Sequence, residues 1–395
     1  MPDRPQITLE PGRQKRVLGG HPWIYSNEVR MDGAAKALPR GGLVTVAAAD
    51  GRPIGVATFN PHTLVAARIL DRDPARTIDR AFFAARIERA LALRGRLYDA
   101  PYFRLVHAEA DGLPGLVIDR YGDVAVAQLN SAGMAALAPE IAAAIADCLG
   151  ARALVLRNDA TARAIEGLDG TPRLAFGSIA DAVEIEENGA RYFADVEAGQ
   201  KTGWFFDQRE NRRFVAALAA GARVLDLYSF GGGFSVAAAR HGATAVLGID
   251  RSEPALALAM RAAEANGVAE RCGFAKGDAF TELARLAAAG ERFDIVIADP
   301  PAFVKSRKDL GAGLRGYRKL TRLAAALVAE NGILFLATCS HNVSAEDFAN
   351  AVRQGLADAG RSARILRSSG AAPDHPIHPA LPESAYLKAV TLALD

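Results

Sequence analysis

The stretch VLDLYSFGGGFSVAAARHGATAVLGID (224–250) reads as a buried strand, a glycine-rich turn, a helix and a second strand. VLDLYSF (224–230) is an apolar run of strand length, GFSVAAARHG (233–242) is rich in helix formers, and AVLGID (245–250) is apolar again. The alternation continues downstream. Ser252 as a cap with Pro254 in the first turn opens the next helix, and CGFAKGD (272–278), FDIVIADPP (293–301) and GILFLATCS (332–340) are further strands with helices between them. Ser344, followed three residues later by Asp347, resembles a capping box. Strand and helix in regular alternation predict a doubly wound α/β domain around a mostly parallel sheet. ARILRSSG (363–370) and YLKAVTLAL (386–394) have no helix between them, which predicts an antiparallel hairpin at one edge.

Upstream the pattern differs. Residues 1–75 read as short strands between Gly and Pro turns, with GGLVTVAAADGRPIGVATF (41–59) a hairpin around Asp50-Gly51 and LVAARIL (64–70) another strand. They predict a small β-barrel. DRDPAR (71–76) reads as a linker, and residues 76–187 as an α+β middle domain. Within it, Phe83, Ile87 and Leu91 share one face of a helix, and an Ala-rich stretch (about 133–149) forms another. The third domain then spans 188–395. At 395 residues, two or three domains are expected in any case.

Half of the residues are hydrophobic and 23% are charged, enough to bury a core without disulfides or metals. The three cysteines, Cys148, Cys272 and Cys339, are far apart and form no metal motif, which fits a reducing cytosol. No signal-like or membrane-spanning run is present, so a soluble cytoplasmic protein is expected, and a homodimer is compatible with the sequence. With a net charge of only +2, a nucleic-acid binder must gather its basic residues into patches.

Ligands of doubly wound sheets bind at the C-terminal ends of the strands. Asp226 and Tyr228 lie in the first strand of the sheet, Ser229, Phe230, Gly231, Gly232 and Gly233 form the turn after it, Asp250 ends the second strand and Asp278 the third. Asp299 and Pro300 end the fourth. The turn is not GxGxxG, and Val236 at the third-glycine position is β-branched, which argues against a dinucleotide pyrophosphate. Acids at four successive strands suit an adenosine bearing a cationic sulfonium. The plainer reading is that such carboxylates cap the helices that follow.

Asp299-Pro300-Pro301-Ala302-Phe303 forms a rigid turn at the sheet rim, fit to hold a flipped base by its carboxylate and carbonyls, with Phe303 packing nearby. Cys339 ends the neighbouring strand. A thiolate there can add to C6 of cytosine and make C5 nucleophilic, although a lone Cys in an apolar strand is often inert core. Cys148 and Cys272 read as structural. Residues 301–322 carry Lys305, Arg307, Lys308, Arg315, Arg318, Lys319 and Arg322 against one acid, Asp309, a patch suited to phosphates or else a solvated helix. KTGWFFDQRENRRF (201–214) reads as a second basic-aromatic segment, and His375/His378 as a turn in preference to a metal site.

Taken together, these segments resemble the bacterial 23S ribosomal RNA cytosine-C5 methyltransferases that carry an N-terminal PUA domain. The resemblance runs through GHPWIYSNEV (20–29), DGLPGLVIDRYGD (111–123), KTGWFFDQRENR (201–212), the 224–243 stretch, DPPAFVKS (299–306), CSHNVS (339–344) and DHPIHPALPESAYLKAV (374–390). It implies a class I methyltransferase domain, S-adenosylmethionine bound around Asp226, Gly231, Asp250, Asp278 and Asp299, Cys339 as nucleophile, and ribosomal RNA bound through Pro301, Phe303, Lys305, Arg307, Arg315 and Arg318, with no metal. An edge hairpin also suits methyltransferases better than dehydrogenases. One departure stands out: related RNA 5-methylcytosine enzymes carry a second cysteine in the Asp-Pro segment to assist release, and DPPAF has none. Methylation of an exocyclic amine or ring nitrogen centred on Asp299 and Pro300, and a non-catalytic RNA-binding assembly factor, are the alternatives.

Overall fold

The computed structural model describes residues 3–395 apart from 160, 169, 198, 200 and 201. Its contacts divide the chain into two units: Met1–Val183 with Asp195–Gly203 and Asp374–Pro382, and Glu184–Ala194 with Trp204–Pro373 and Glu383–Asp395. Lys201, the first residue of KTGWFF, lies outside the described residues.

The first unit contains two five-stranded sheets. One runs in the order Gln6–Thr8, Gly42–Ala47, Pro53–Phe59, Val65–Asp71, Trp23–Tyr25, around a core that includes Ile7, Ile24, Val44 and Phe59. The expected hairpin is there: Gly51 takes a left-handed φ of 86°, and Asp50 Oδ1 accepts the Arg52 N–H at 3.0 Å. The other sheet holds Tyr102–His107, Leu116–Tyr121, Val124–Leu129, Ala153–Leu156 and Arg173–Phe176. Helices Arg80–Arg94 and Ala138–Leu149 bury Phe83, Ile87, Ile141 and Ile145 in its core. The Ala-rich stretch is two helices, Ala132–Ala136 and Ala138–Leu149. Pro139 sits in the first turn of the second, where its missing N–H and fixed φ start a helix and prevent one from running through.

His375 and His378 belong to this unit as a turn. His375 Nδ1 lies 2.8 Å from Asp374 Oδ1, and His378 Nδ1 accepts the Ala380 N–H at 3.1 Å. Asp374 in turn accepts the Arg104 N–H at 2.9 Å, and its carbonyl accepts from the fully buried Arg94, which pairs with Asp111 at 2.6 Å.

The second unit is built on a seven-stranded sheet. Its strands are β1 (Arg223–Leu227), β2 (Ala245–Asp250), β3 (Cys272–Lys276), β4 (Phe293–Ala298), β5 (Val328–Thr338), β6 (Ala363–Ser369) and β7 (Lys388–Leu394), in the order β3-β2-β1-β4-β5-β7-β6. The first five are parallel; β7 runs antiparallel between β5 and β6. Helices α1 (Arg209–Ala216), α2 (Gly233–Arg240), α3 (Glu253–Ala265), α4 (Ala279–Ala288), α5 (Leu310–Leu327) and α6 (Ala345–Asp358) accompany it. Ser252 and Ser344 cap α3 and α6 through the Ala255 and Asp347 amides. The two-faced burial of a parallel sheet explains the near-continuous apolar runs: Leu225, Leu227, Val296 and Leu334 are all fully buried. Strand order reverses at β1, whose neighbours are β2 and β4, so the C-terminal ends of these strands frame the expected crevice. Among the described residues, no helix is long and apolar enough to cross a membrane.

Candidate active site

The turn between β1 and α2 is strained. Tyr228 and Phe230 hold left-handed φ values of 62° and 48°, a conformation that costs a non-glycine residue about 1–2 kcal/mol. Such strain persists where the surroundings over-determine it. Here the Ser229 N–H donates to Ile249 O at 3.1 Å and the Phe230 N–H to Asp250 Oδ2 at 3.0 Å. The glycines serve packing as much as ligand approach. A Cβ on Gly231 would lie 3.3 Å from the Trp204 ring, one on Gly232 2.9 Å from Ala259 Cβ, and one on Gly233 2.9 Å from Arg212 Cδ.

Arg212 belongs to a buried brace within the basic-aromatic segment. Arg209 and Arg212 are buried, and both pair with the buried Glu187, at 3.5 and 3.1 Å; Trp204 Nε1 donates to the same carboxylate at 3.1 Å. The Arg212 guanidinium also lies over the Trp204 ring at 4.6 Å. Residues 204–212 are therefore largely internal scaffolding behind the glycine turn. The surface cation Arg213 stands 4.0 Å from Glu210.

The four acids at the strand ends have different environments. Asp226 is buried beneath the turn and accepts from Ser235 Oγ at 2.6 Å. Burial pushes its pKa up to about 7, against the Ser235 hydrogen bond and with help from the charges of Asp299 and Asp250. Ser235 lies in α2, and nothing in its local sequence marks it as Asp226's partner. The two oxygens of Asp250 accept one backbone N–H each, from Ser252 at 2.8 Å and Phe230 at 3.0 Å. A carboxylate has about four acceptor positions, so a ribose diol can still bind there. Asp278 caps α4 through the Thr281 amide and pairs with Arg251, which holds its pKa below the usual range. The helix-cap reading thus describes Asp278's present contacts. Asp299 is half-buried beside the buried Pro300.

Five residues lock the Asp-Pro-Pro loop to the Cys339 loop. The Phe303 N–H donates to Tyr317 Oη at 3.3 Å, and the Val304 N–H to Ser340 Oγ at 3.2 Å. Thr338 Oγ1 donates to Tyr317 Oη at 2.7 Å, and the Ser340 N–H to Thr338 Oγ1 at 3.1 Å. The Phe303 ring stacks on Tyr317 with centroids 4.7 Å apart. Half-buried Cys339 lies between the buried Thr338 and Ser340. Burial pushes the other two thiols up, that of Cys272 to about 11, so both stay protonated at neutral pH.

In the basic segment, Pro301, Lys305, Arg307, Lys308 and Arg315 are exposed. Asp309 accepts from the amide and hydroxyl of Ser306, at 3.0 and 2.7 Å, and so closes the turn that presents Arg307 and Lys308. Arg318 differs from expectation: it forms a two-pronged pair with Asp358 at 2.6 and 2.7 Å. Lys319 lies over the Phe280 ring at 5.0 Å.

This acid-rimmed crevice and strand order agree with the sequence comparisons. Residues 129–392 match the family model of the S-adenosylmethionine-dependent methyltransferases. The chain belongs to that family. Residues 7–72 match a PUA-like domain, in the place of the first β-sheet. A curated relative, ribosomal RNA large subunit methyltransferase I of Escherichia coli O139:H28, is 34% identical over 393 residues, covering 97% of this chain and 98% of its own. A solved Streptococcus mutans structure assigned as a SAM-dependent methyltransferase superposes with a TM-score of 0.82 at 22% identity, covering 98% of this chain and all of its own. An assigned methyltransferase solved with SAH gives 0.83 at the same identity and coverage. The methyltransferase therefore uses S-adenosylmethionine, on the doubly wound fold that its strand alternation predicts, with the PUA-like domain N-terminal.

Proposed function

We propose that the methyltransferase transfers a methyl group from S-adenosylmethionine to C5 of one cytidine in 23S ribosomal RNA. Asp226, Asp250 and Asp278, with the Tyr228–Gly232 turn, hold the cofactor, which supplies an electrophilic methyl group on a cationic sulfur. Asp299 and Pro300 stand between cofactor and base. The β-barrel within residues 1–75 docks RNA, the middle region of 76–187 spaces it, and Lys305, Arg307 and Arg315 contact phosphates beside the reaction centre.

The observation that carries the reading is the hydroxyl network that fixes Cys339 to the loop bearing Asp299 and Phe303. With the base extruded into the crevice, the electron pair of the Cys339 thiolate forms the bond to C6 as the C5–C6 π bond breaks and its pair shifts to C5. Asp299 contacts the N3/N4 edge and favours the protonated ring. C5 then takes the methyl carbon as the methyl–sulfur bond breaks. Loss of the C5 proton to a base and departure of the thiolate restore the aromatic pyrimidine. The name of the Escherichia coli relative supports a large-subunit RNA substrate.

The test incubates protein, unmodified 23S RNA and methyl-labelled cofactor, then digests the RNA to nucleosides for mass spectrometry. Label in 5-methylcytidine, lost in Cys339→Ala while cofactor binding is retained, is the expected result. Label in a methylated purine or an exocyclic amine, unaffected by that substitution, sinks the cysteine chemistry in favour of one centred on Asp299 and Pro300.

A further inference from the structure

Cys339 sits between two residues that Lys388 holds. Lys388 lies opposite Thr338 in the β5–β7 register, and its Nζ donates to the carbonyl of Ser340 at 3.3 Å. A second bond runs from Nζ to the carbonyl of Tyr386 at 3.1 Å. An ammonium has three donors, so after these two carbonyls, one of them on the residue next to Cys339, a third remains. The side chain is half-buried, where charges interact more strongly than in open water. Burial lowers the Lys388 pKa from the ordinary lysine value, while a Cys339 thiolate acts the other way.

Tyr317 stays a neutral phenol, its pKa raised chiefly by burial, and bonds Thr338 and Ser340. The His341 ring stacks on Tyr386 with centroids 5.2 Å apart, and Tyr386 Oη donates to the buried Asp207.

We propose that Lys388 is a positioning residue that holds Cys339 as a thiolate for attack and eases its departure from the product. The proposal rests on the reading of Cys339 as the nucleophile. The thiol proton leaves to solvent, the electron pair stays on sulfur, and the ammonium remains charged throughout. A thiol made more acidic is also a better leaving group, because the S–C6 electron pair returns to a stabilised anion. This bears on the missing second cysteine: the aid to release in DPPAF-type segments is then electrostatic and comes from β7.

Lys388→Gln keeps a donor for the two carbonyls and removes the charge, and Lys388→Arg keeps the charge. Iodoacetamide labelling of the full-length protein is followed by mass spectrometry on the Leu323–Arg353 peptide, whose only cysteine is Cys339. Near pH 7, Lys388→Gln should react about five- to tenfold more slowly than wild type, and the difference should vanish near pH 10, where either thiol is ionised. Lys388→Arg should restore most of the rate, and in methyl transfer Lys388→Gln should lower kcat with KM for RNA little changed. Wild-type labelling of Lys388→Gln across the pH range overturns the proposal and leaves the nucleophile intact. Full activity of Cys339→Ala instead removes the nucleophile, and the role of Lys388 with it. Should Lys388→Gln fail to bind S-adenosylhomocysteine, Lys388→Met and Lys388→Arg give the same comparison, and equal labelling rates in those two overturn it.

Discussion

Tyr317 Oη and Ser340 Oγ lie 2.9 Å apart, and that contact joins the loop after β4 to the loop after β5. Tyr317 comes from α5 and Ser340 follows Cys339, so three elements converge on one pair of hydroxyls. Both oxygens are buried, and each also accepts an amide proton from the Asp-Pro-Pro loop. A satisfied buried network of this kind fixes relative position, because any displacement leaves a polar group unpaired.

Tyr317→Phe keeps the ring stacked on Phe303 and removes the shared oxygen. Thr338, Ser340 and the Phe303 amide each lose a partner, a change expected to destabilise by about 1–3 kcal/mol. Thermal unfolding should fall by about 2–4 °C for each kcal/mol lost. Turnover should drop further than cofactor affinity does, as assayed by kcat beside S-adenosylhomocysteine binding.

Asp226 links stability to pH. Its folded pKa, about 7, exceeds the ordinary 3.8, so the folded state holds this proton more tightly than the unfolded chain. Stability should therefore fall as pH rises from about 4 to about 7 and level off above, by a few kcal/mol in all. Asp226→Asn removes that slope, making the variant the more stable protein at about pH 8. On the proposed cofactor site it also removes a negative charge beside a cationic sulfonium, so S-adenosylmethionine should bind more weakly and lose its tightening across neutrality. Urea melts and calorimetric titrations at two pH values test both halves.

Gly232 and Gly231 are adjacent but not equivalent. Gly232 has φ of 76° and its missing Cβ would meet Ala259, whereas the tightest contact of Gly231 is a ring edge at 3.3 Å. Gly232→Ala should cost about 1–3 kcal/mol, and Gly231→Ala clearly less. Equal midpoints for the two in guanidinium unfolding would contradict this account of the turn.

For RNA, position decides which cations matter. Replacing Lys305, Arg307 or Arg315 by Ala should each reduce the slope of log affinity against log salt by about 1. Arg318→Ala should leave that slope nearly unchanged, because its guanidinium already faces Asp358. It should change stability little, as the loss of an exposed pair does. Filter binding to 23S fragments across a salt series separates the two groups.

Strands, caps and the acid-lined crevice were legible because they depend on local features: apolar runs, Ser252 and Ser344 at helix starts, Asp250 and Asp278 at strand ends. The burial of Arg209 and Arg212 was not legible because it is decided by Glu187, a partner across a loop that no local pattern encodes. The partner of Arg318 was equally out of view, its carboxylate lying 40 residues on. The hydroxyl chain Thr338–Tyr317–Ser340 was invisible for the opposite reason: hydroxyl residues are common, and only the folded chain shows which of them meet. The break at Leu137 was readable from Pro139, yet alanine content outweighed it.

β7 has a further consequence for how the protein is made. It is translated after every other strand of its sheet, yet it takes a place between two of them, β5 and β6. Until it arrives, β6 has no neighbour to bond with and β5 keeps one edge open, a state prone to pairing with the wrong chain. The same late strand brings Lys388 up to Cys339. On our reading, a chain that lacks only β7 can therefore hold the cofactor fold in outline while its cysteine waits without its cation, and sheet completion arms the nucleophile.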